Sequence, residues 1–204
     1  MEKEIKAIVF DIGGVLYDEG DLEKLYSRLC EKFKLDFGEF FKIRKRYINS
    51  ATIGKISAHN YPALIAKGLG VKDVKRFVKF WYKNRREELK LNKDIGKTLT
   101  KLRKNYIIAT LTNITKTNDI FRNEKKIYRF FDIKLISNKE GMKKPDIKFY
   151  KLLIKKLNLL PRQVVFVDDE KRNLFPAKKL GIKTIFFKNN KQLIKDLKKF
   201  GVRI

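Results

Sequence analysis

The chain has 204 residues, of which 43% are hydrophobic and 36% are charged, enough for one α/β domain or for a core with a modest insert. Its single cysteine, Cys30, excludes an internal disulfide framework and is typical of a reducing compartment. The sequence shows neither a signal-peptide pattern nor an apolar stretch long enough to cross a membrane. We therefore expect a soluble, cytoplasmic protein with no membrane partner.

The net charge of +27 raises nucleic acid as a possible partner, because a basic surface attracts phosphate groups. The basic residues are nevertheless spread along the whole chain, as in a general compositional bias. Residues 75–86 mix basic and aromatic side chains, but Phe77, Val78 and Trp81 follow the spacing of a buried helix face. Nucleic acid is therefore possible but not favoured, while the charge should attract small anionic substrates.

The first predicted element is a strand over residues 5–10, since its apolar run is typical of a strand buried on both faces. Residues 20–92 then show only helical patterns: a first helix capped by Asp21, with an apolar stripe that starts at Leu22, and further helices near 37–49, 57–68 and 72–89. This segment is long enough to form a small domain. We predict a helical cap domain over residues 17–92, inserted into a core formed by residues 1–16 and 93–204.

Strand and helix patterns alternate in the rest of the chain. Strands are predicted at 106–111, 134–137, 164–167 and 184–187, and helices near 93–104, 116–123, 146–157, 171–180 and 190–199. Such alternation implies right-handed crossovers and one parallel sheet covered by helices on both faces. The predicted fold class is therefore α/β, a three-layer Rossmann-like core with an inserted all-helical cap.

Three carboxylates follow two of the buried strands directly. Asp11 comes after the first strand, and Asp168 and Asp169 come after the strand at 164–167. The carboxyl ends of parallel strands border the crevice where open α/β sheets bind their ligands. Three acidic residues at that crevice predict a divalent cation held by oxygen ligands.

Two further pieces are expected at the same sheet edge. Thr112 and Asn113 directly follow the strand at 106–111, and Lys144 precedes Pro145 and a predicted helix. Taken with the two aspartate motifs, and in this order, the pieces resemble the four motifs of the haloacid dehalogenase superfamily. The resemblance covers the whole chain, and the helical insert matches the subfamily whose cap follows the first motif.

The resemblance implies a Mg²⁺-dependent phosphatase acting on a small phosphorylated metabolite, sugar phosphates first. Asp11 would attack phosphorus and form an aspartyl-phosphate, which water hydrolyses. Lys144 would neutralise charge on the phosphate and on Asp11, and Asn173 would brace the motif loop. The Thr112 hydroxyl and the Asn113 backbone would bind phosphate oxygens. The implied Mg²⁺ ligands are Asp11, the Gly13 carbonyl, Asp168 and, directly or through water, Asp169.

The chain departs from the family at Gly13, where phosphatases of this kind usually carry a second aspartate that acts as general acid and base. Three explanations stay open: a substrate with a good leaving group, such as an anomeric sugar phosphate; a substitute acid, for which Asp18 and Glu19 are the nearest candidates; or loss of catalysis.

Two other functions compete with the phosphatase. A weakly catalytic protein of the same fold could bind nucleic acid or another anionic partner through its basic surface. A 2-haloacid dehalogenase is less favoured, because that branch needs no metal and lacks the double acid of Asp168 and Asp169. The sequence gives no indication of oligomeric state.

Overall fold

The computed structural model describes residues 4–18, 22–88 and 90–204. Its centre is a five-stranded sheet in which every neighbouring pair of strands is parallel. The strands are β1 (Ala7–Phe10), β4 (Ile107–Thr112), β5 (Ile133–Ile136), β6 (Val164–Asp168) and β7 (Lys183–Phe186), in the spatial order β5-β4-β1-β6-β7. The predicted Rossmann-like parallel sheet is confirmed.

Helices cover both faces of this sheet. Successive side chains of β1 point to opposite faces, so each face has apolar side chains to bury. Ile8 and Phe10 belong to one hydrophobic cluster, whereas Ala7 and Val9 belong to another, and all four side chains are fully buried. The core helices are α5 (Lys93–Leu102), α6 (Lys116–Glu124), α7 (Ser137–Glu140), α8 (Ile147–Leu157), α9 (Lys171–Lys179) and α10 (Asn190–Lys199). Two short 3-10 turns occur at Ile127–Phe130 and Pro161–Gln163.

Between β1 and α5, the described residues form four helices, as predicted. They are α1 (Leu22–Phe33), α2 (Phe37–Thr52), α3 (Asn60–Gly68) and α4 (Val74–Glu88). They enclose a third hydrophobic cluster in which Phe77 and Trp81 are buried. Phe77 and Trp81 of the basic stretch thus form core, as their spacing predicts. This separate core extends from Leu25 to Trp81, whereas Tyr17 belongs to the core of the sheet domain, so the boundaries of the cap at residues 17–92 stay a prediction.

The prediction of a purely helical insert is wrong at its two ends. Residues Tyr17–Asp18 (β2) and Lys90–Leu91 (β3) pair as a two-stranded antiparallel ribbon. Each strand has only two residues, too few to produce an alternating sequence pattern. The ribbon brings the start and the end of the insert side by side. Among the described residues, no helix combines the length and apolarity that a membrane span requires.

The four helices are docked on the sheet domain through backbone carbonyls of the insert. The Ser137 hydroxyl donates a hydrogen bond to the Thr52 carbonyl at 2.8 Å, and the Thr117 hydroxyl donates to the Ala58 carbonyl at 2.6 Å. Gly54 lies against the same surface with φ +80°, and a Cβ there would lie 2.0 Å from the Asn138 carbonyl oxygen. Only glycine fits at this close approach.

Candidate active site

The register of the sheet brings the three predicted aspartates together. Phe10 is paired with Val167, so the chain leaves β1 and β6 at the same level of the sheet. Asp11, Asp168 and Asp169 therefore meet, and one carboxylate oxygen from each lies within 4.8 Å of the other two. Asp168 is fully buried, while the Asp11 side chain is 13% exposed. The predicted cluster at the carboxyl edge of the sheet exists.

Lys144 is the cation of this cluster. Its side chain is only 1% exposed, and its Nζ lies 2.8 Å from Asp11 Oδ2 and 2.7 Å from Asp168 Oδ2. Burial alone would lower the pKa of Lys144, but the negative charges of Asp11 and Asp168 raise it above its usual value. The ammonium group therefore stays charged and links the β1 motif to the β6 motif.

Asp168 is held in place from the opposite side. The Asn173 amide donates hydrogen bonds to both of its oxygens, at 3.0 and 3.2 Å, and the backbone N–H of Glu170 donates to Oδ1 at 2.8 Å. The Tyr150 hydroxyl in turn donates to the Asn173 carbonyl at 2.7 Å. Asn173 thus braces the motif loop, and Tyr150 is a support that the sequence did not identify.

The charge balance of the cluster fits a divalent cation. Among the described residues, three carboxylates lie together, and the Lys144 ammonium pairs with two of them, Asp11 and Asp168. Burial, and then the charges of Asp11 and Asp168, raise the pKa of Asp169 to about 6. The part of this rise that comes from Asp11 and Asp168 reflects negative charge concentrated around Asp169. Oxygen ligands of this kind suit Mg²⁺, which commonly binds through one or two carboxylates and completes its shell with water and substrate.

The two glycines after Asp11 shape the loop around Asp169. Gly14 has φ +69°, and a Cβ on it would lie 2.0 Å from Asp169 Oδ2, so any larger residue would displace this carboxylate. Gly13 forms an isolated bridge with Tyr17, and the Gly14 N–H donates to the Tyr17 carbonyl at 2.9 Å. The metal contact expected of the Gly13 carbonyl stays a prediction.

Thr112 and Asn113 lie at the same edge but have partners that the sequence did not predict. The buried Thr112 hydroxyl accepts a hydrogen bond from Arg122 Nη1 at 2.8 Å. The side chain of Asn113 forms hydrogen bonds with the backbone of Lys144. Their predicted contacts with phosphate stay predictions.

A buried polar network lies behind Thr112. Beside Arg122, on the same helix, the Asp119 carboxylate accepts a hydrogen bond of 2.5 Å from the Tyr128 hydroxyl. Both acidic and basic members are largely buried. The charged residues at positions 119 and 122 carry no sequence signal that separates them from surface charges. Of the two substitute acids, Glu19 lies outside the described residues, and Asp18 is described only by its backbone in β2.

Comparison with protein families identifies the chain. The family model described as haloacid dehalogenase-like hydrolase matches residues 8–187, which is most of the sequence. The chain belongs to this family. It is thus a hydrolase of the haloacid dehalogenase-like fold, as its four motifs predict.

Two curated relatives are similar along most of their length. A phosphorylated carbohydrates phosphatase from Thermotoga maritima is 25% identical over 190 residues, covering 89% of this chain and 84% of the relative. A glyceraldehyde 3-phosphate phosphatase from Pyrococcus furiosus is 26% identical over 222 residues, covering 96% and 85%.

Solved structures of one bacterial enzyme share the fold. A haloacid dehalogenase family enzyme from Bacteroides thetaiotaomicron superposes with a TM-score of 0.81 at 22% identity, covering 91% of this chain and 94% of that one. The same enzyme in complex with magnesium and inorganic phosphate gives a TM-score of 0.77 at 23% identity, covering 90% and 94%.

Proposed function

We propose that this hydrolase is a Mg²⁺-dependent phosphatase that acts on a small phosphorylated metabolite, sugar phosphates first. The observation that carries the proposal is Lys144, whose Nζ lies between Asp11 and Asp168 while Asp169 completes the trio of carboxylates. The two phosphatase relatives and the magnesium and phosphate complex of the Bacteroides enzyme support it.

Asp11 is the proposed nucleophile. Its carboxylate oxygen forms a bond to phosphorus while the bond from phosphorus to the leaving oxygen breaks. Water then attacks the aspartyl-phosphate, releases inorganic phosphate and restores the carboxylate. Lys144 neutralises charge on Asp11 and on the transferred phosphoryl group, which lowers the electrostatic cost of bringing two anions together.

The remaining groups bind and orient. Thr112 accepts a hydrogen bond from Arg122, so its own O–H stays available as a donor to a phosphate oxygen. The Asn113 backbone is the second proposed phosphate contact. Bound Mg²⁺ would be held by Asp11, Asp168, the Gly13 carbonyl and Asp169, and would neutralise phosphate charge.

Gly13 restricts the substrates, because no side chain at this position can protonate the leaving oxygen. We propose that good leaving groups, such as anomeric sugar phosphates, are hydrolysed best, with Asp18 or Glu19 as alternative acids. If Asp18 substitutes, Asp18→Ala should slow poor leaving groups more than good ones. Equal slowing of both would remove Asp18 from the mechanism.

The other candidate functions fit the site less well. A 2-haloacid dehalogenase needs no metal, yet three carboxylates cluster here around one lysine. A protein that only binds nucleic acid or another anion has no need of a buried lysine bonded to two aspartates. We also propose a cytoplasmic location, on the basis of the single, buried cysteine.

Phosphate release from p-nitrophenyl phosphate and a panel of sugar phosphates tests the proposal, with Mg²⁺ and with chelator. Asp11→Asn should abolish release. Asp94→Asn is the matched control, because its side chain is 73% exposed on α5. Measurable release by Asp11→Asn would overturn the assigned nucleophile. Absence of release from every compound would favour a binding role.

A further inference from the structure

A cleft of about 450 Å³ lies between the helical insert and the loops that carry Asn113 and Lys144. Helix α2 lines one side through Arg44, Lys45 and Asn49. The opposite side includes the loop around Lys143. A volume of this size suits a small metabolite, since ligand pockets commonly enclose about 300–1,000 Å³.

The lining of the cleft is strongly basic. Arg44, Lys45, Lys143 and Arg172 line it in addition to Lys144, and among the described residues none of the lining side chains is acidic. Such an arrangement concentrates positive potential in a concave, partly desolvated space, where charge acts more strongly than on an open surface.

Two of these cations have neutral neighbours. The Arg44 guanidinium lies over the Tyr26 ring at 5.2 Å from its centroid, and its Nε is shielded from solvent without a hydrogen-bond partner among the described groups. The Lys143 ammonium donates a hydrogen bond to the Asn49 side chain across the cleft. Arg172 differs, because Glu170 pairs with it at 2.6 Å. Arg44 and Lys143 are therefore the stronger anion-binding candidates.

The start of α6 adds to this potential. Thr115 caps the helix by accepting a hydrogen bond from the Asn118 N–H, and both residues line the cleft. The N-terminal end of a helix carries a partial positive charge. The helix terminus and the side chains of α2 thus contribute the same sign from different elements.

The cleft also joins the proposed catalytic site. Lys144 belongs to both, since it lines the cleft and its Nζ contacts Asp11 and Asp168. Asp11, Asp168 and Asp169 do not line the cleft, and the Lys144 side chain is only 1% exposed, so a molecule with its phosphate at Asp11 would have to extend past Lys144 to place its other end in the cleft.

We infer that the cleft binds a second anionic group of the substrate, a carboxylate or another phosphate. The inference rests on the proposed phosphatase function and narrows its substrate class to phosphorylated metabolites with two anionic ends. Arg44 and Lys143 are the specificity-determining residues.

Matched substrate pairs test this inference. The kcat/KM for 3-phosphoglycerate is compared with that for glycerol 3-phosphate, which replaces the carboxylate by an alcohol. Fructose 1,6-bisphosphate is compared with fructose 6-phosphate, which lacks the second phosphate, and only the release that leaves fructose 1-phosphate is counted, so that the same C6 ester is cleaved in both. We expect the compound with two anionic groups to be preferred by about tenfold in at least one pair. The pair that shows it identifies the second group as carboxylate or phosphate, and equal or inverse values in both pairs would overturn the inference.

Variants that remove one positive charge show which residues cause the preference for a second anionic group. Lys143→Gln and Arg44→Gln should each lower the ratio of the two kcat/KM values severalfold. Lys97→Gln is the control, because its side chain is 78% exposed on α5. If Arg44→Gln fails to fold, Lys143→Gln decides alone, since Lys143 lies in a loop. An unchanged ratio in Lys143→Gln would contradict the assignment.

A binding measurement separates this inference from the catalytic proposal. The Asp11→Asn variant is titrated calorimetrically with 3-phosphoglycerate and glycerol 3-phosphate, and with the fructose pair, in the presence of Mg²⁺. Tighter binding of the compound with two anionic groups supports the inference about the cleft even if the wild-type protein hydrolyses nothing. In that case only the phosphatase proposal is overturned. Equal affinity within both pairs, together with hydrolysis by the wild type, would overturn the inference about the cleft and leave the phosphatase proposal standing.

Discussion

The side chain of Asn113 forms two hydrogen bonds with the backbone of Lys144. Asn113 Oδ1 accepts from the Lys144 N–H at 2.8 Å, and Asn113 Nδ2 donates to the Lys144 carbonyl at 2.9 Å. The residue that directly follows β4 thus fixes the loop that delivers the buried ammonium group to Asp11. Asn113 acts through Lys144 in addition to its proposed contact with phosphate.

Asn113→Ala should lower kcat for phosphate release by about 10- to 100-fold, because a small displacement of a catalytic group has effects of this size. The loss of two hydrogen bonds should lower the free energy of unfolding by only about 1–3 kcal/mol. Steady-state kinetics and urea unfolding measure the two effects. Asn105→Ala is the control, since Asn105 is exposed before β4. Unchanged kcat in Asn113→Ala would refute the positioning role.

Gly14→Ala should damage the metal site specifically. The new Cβ would lie 2.0 Å from Asp169 Oδ2, so the carboxylate must move away from Asp11 and Asp168. We expect the Mg²⁺-induced rise in melting temperature to shrink and phosphate release to fall about 10- to 100-fold, as when supports of a metal site are changed.

Gly70→Ala is the matched control for this variant. Gly70 has nearly the same backbone angle, φ +70°, but a Cβ there meets nothing within 4 Å. Both variants therefore have the cost of a left-handed alanine, about 1 kcal/mol. Only Gly14→Ala should lose the response to Mg²⁺. An equal loss in both would show that backbone strain, and not the Asp169 contact, is responsible.

Lys144→Met should be strongly destabilising in the absence of metal. It removes the cation that contacts Asp11 and Asp168 and leaves their charges buried and uncompensated. Breaking a buried ion pair in this way costs about 3–5 kcal/mol. Lys156→Met removes a partly exposed pair with Glu140 and should cost about 1 kcal/mol or less. Urea unfolding with chelator present compares them, and similar losses would show that Lys144 is not the electrostatic centre of the site.

The sequence predicts the fold and the charged cluster for one physical reason. Parallel strands end at the same edge of the sheet. Acidic residues at the ends of apolar strands, such as Asp11 and Asp168, are therefore brought together independently of the conformation of the loops. The partners that were missed depend on loop geometry. Asn113 and Lys144 are 31 positions apart, and Arg122 reaches Thr112 from the next helix. Such contacts leave no periodic pattern, and neither do the two-residue strands β2 and β3.

The buried thiol of Cys30 gives a prediction on pH. Burial, and then the nearby charge of Asp36, raise the pKa of Cys30 from its ordinary value of 9.0 to about 11. The folded protein therefore favours the neutral thiol, while the unfolded chain ionises at lower pH. Stability linked to Cys30 is present below pH 9 and is lost as pH rises towards 11.

Two measurements check this prediction. In the folded protein at pH 8 the thiol should not react with a thiol reagent, and one equivalent should react after denaturation, since the chain has one cysteine. The excess stability of wild type over Cys30→Ala should narrow between pH 9 and 11, because other titrating groups are common to both proteins. A constant difference across this range, or rapid modification of the folded protein at pH 8, would show that the thiol ionises as freely in the folded protein as in the unfolded chain.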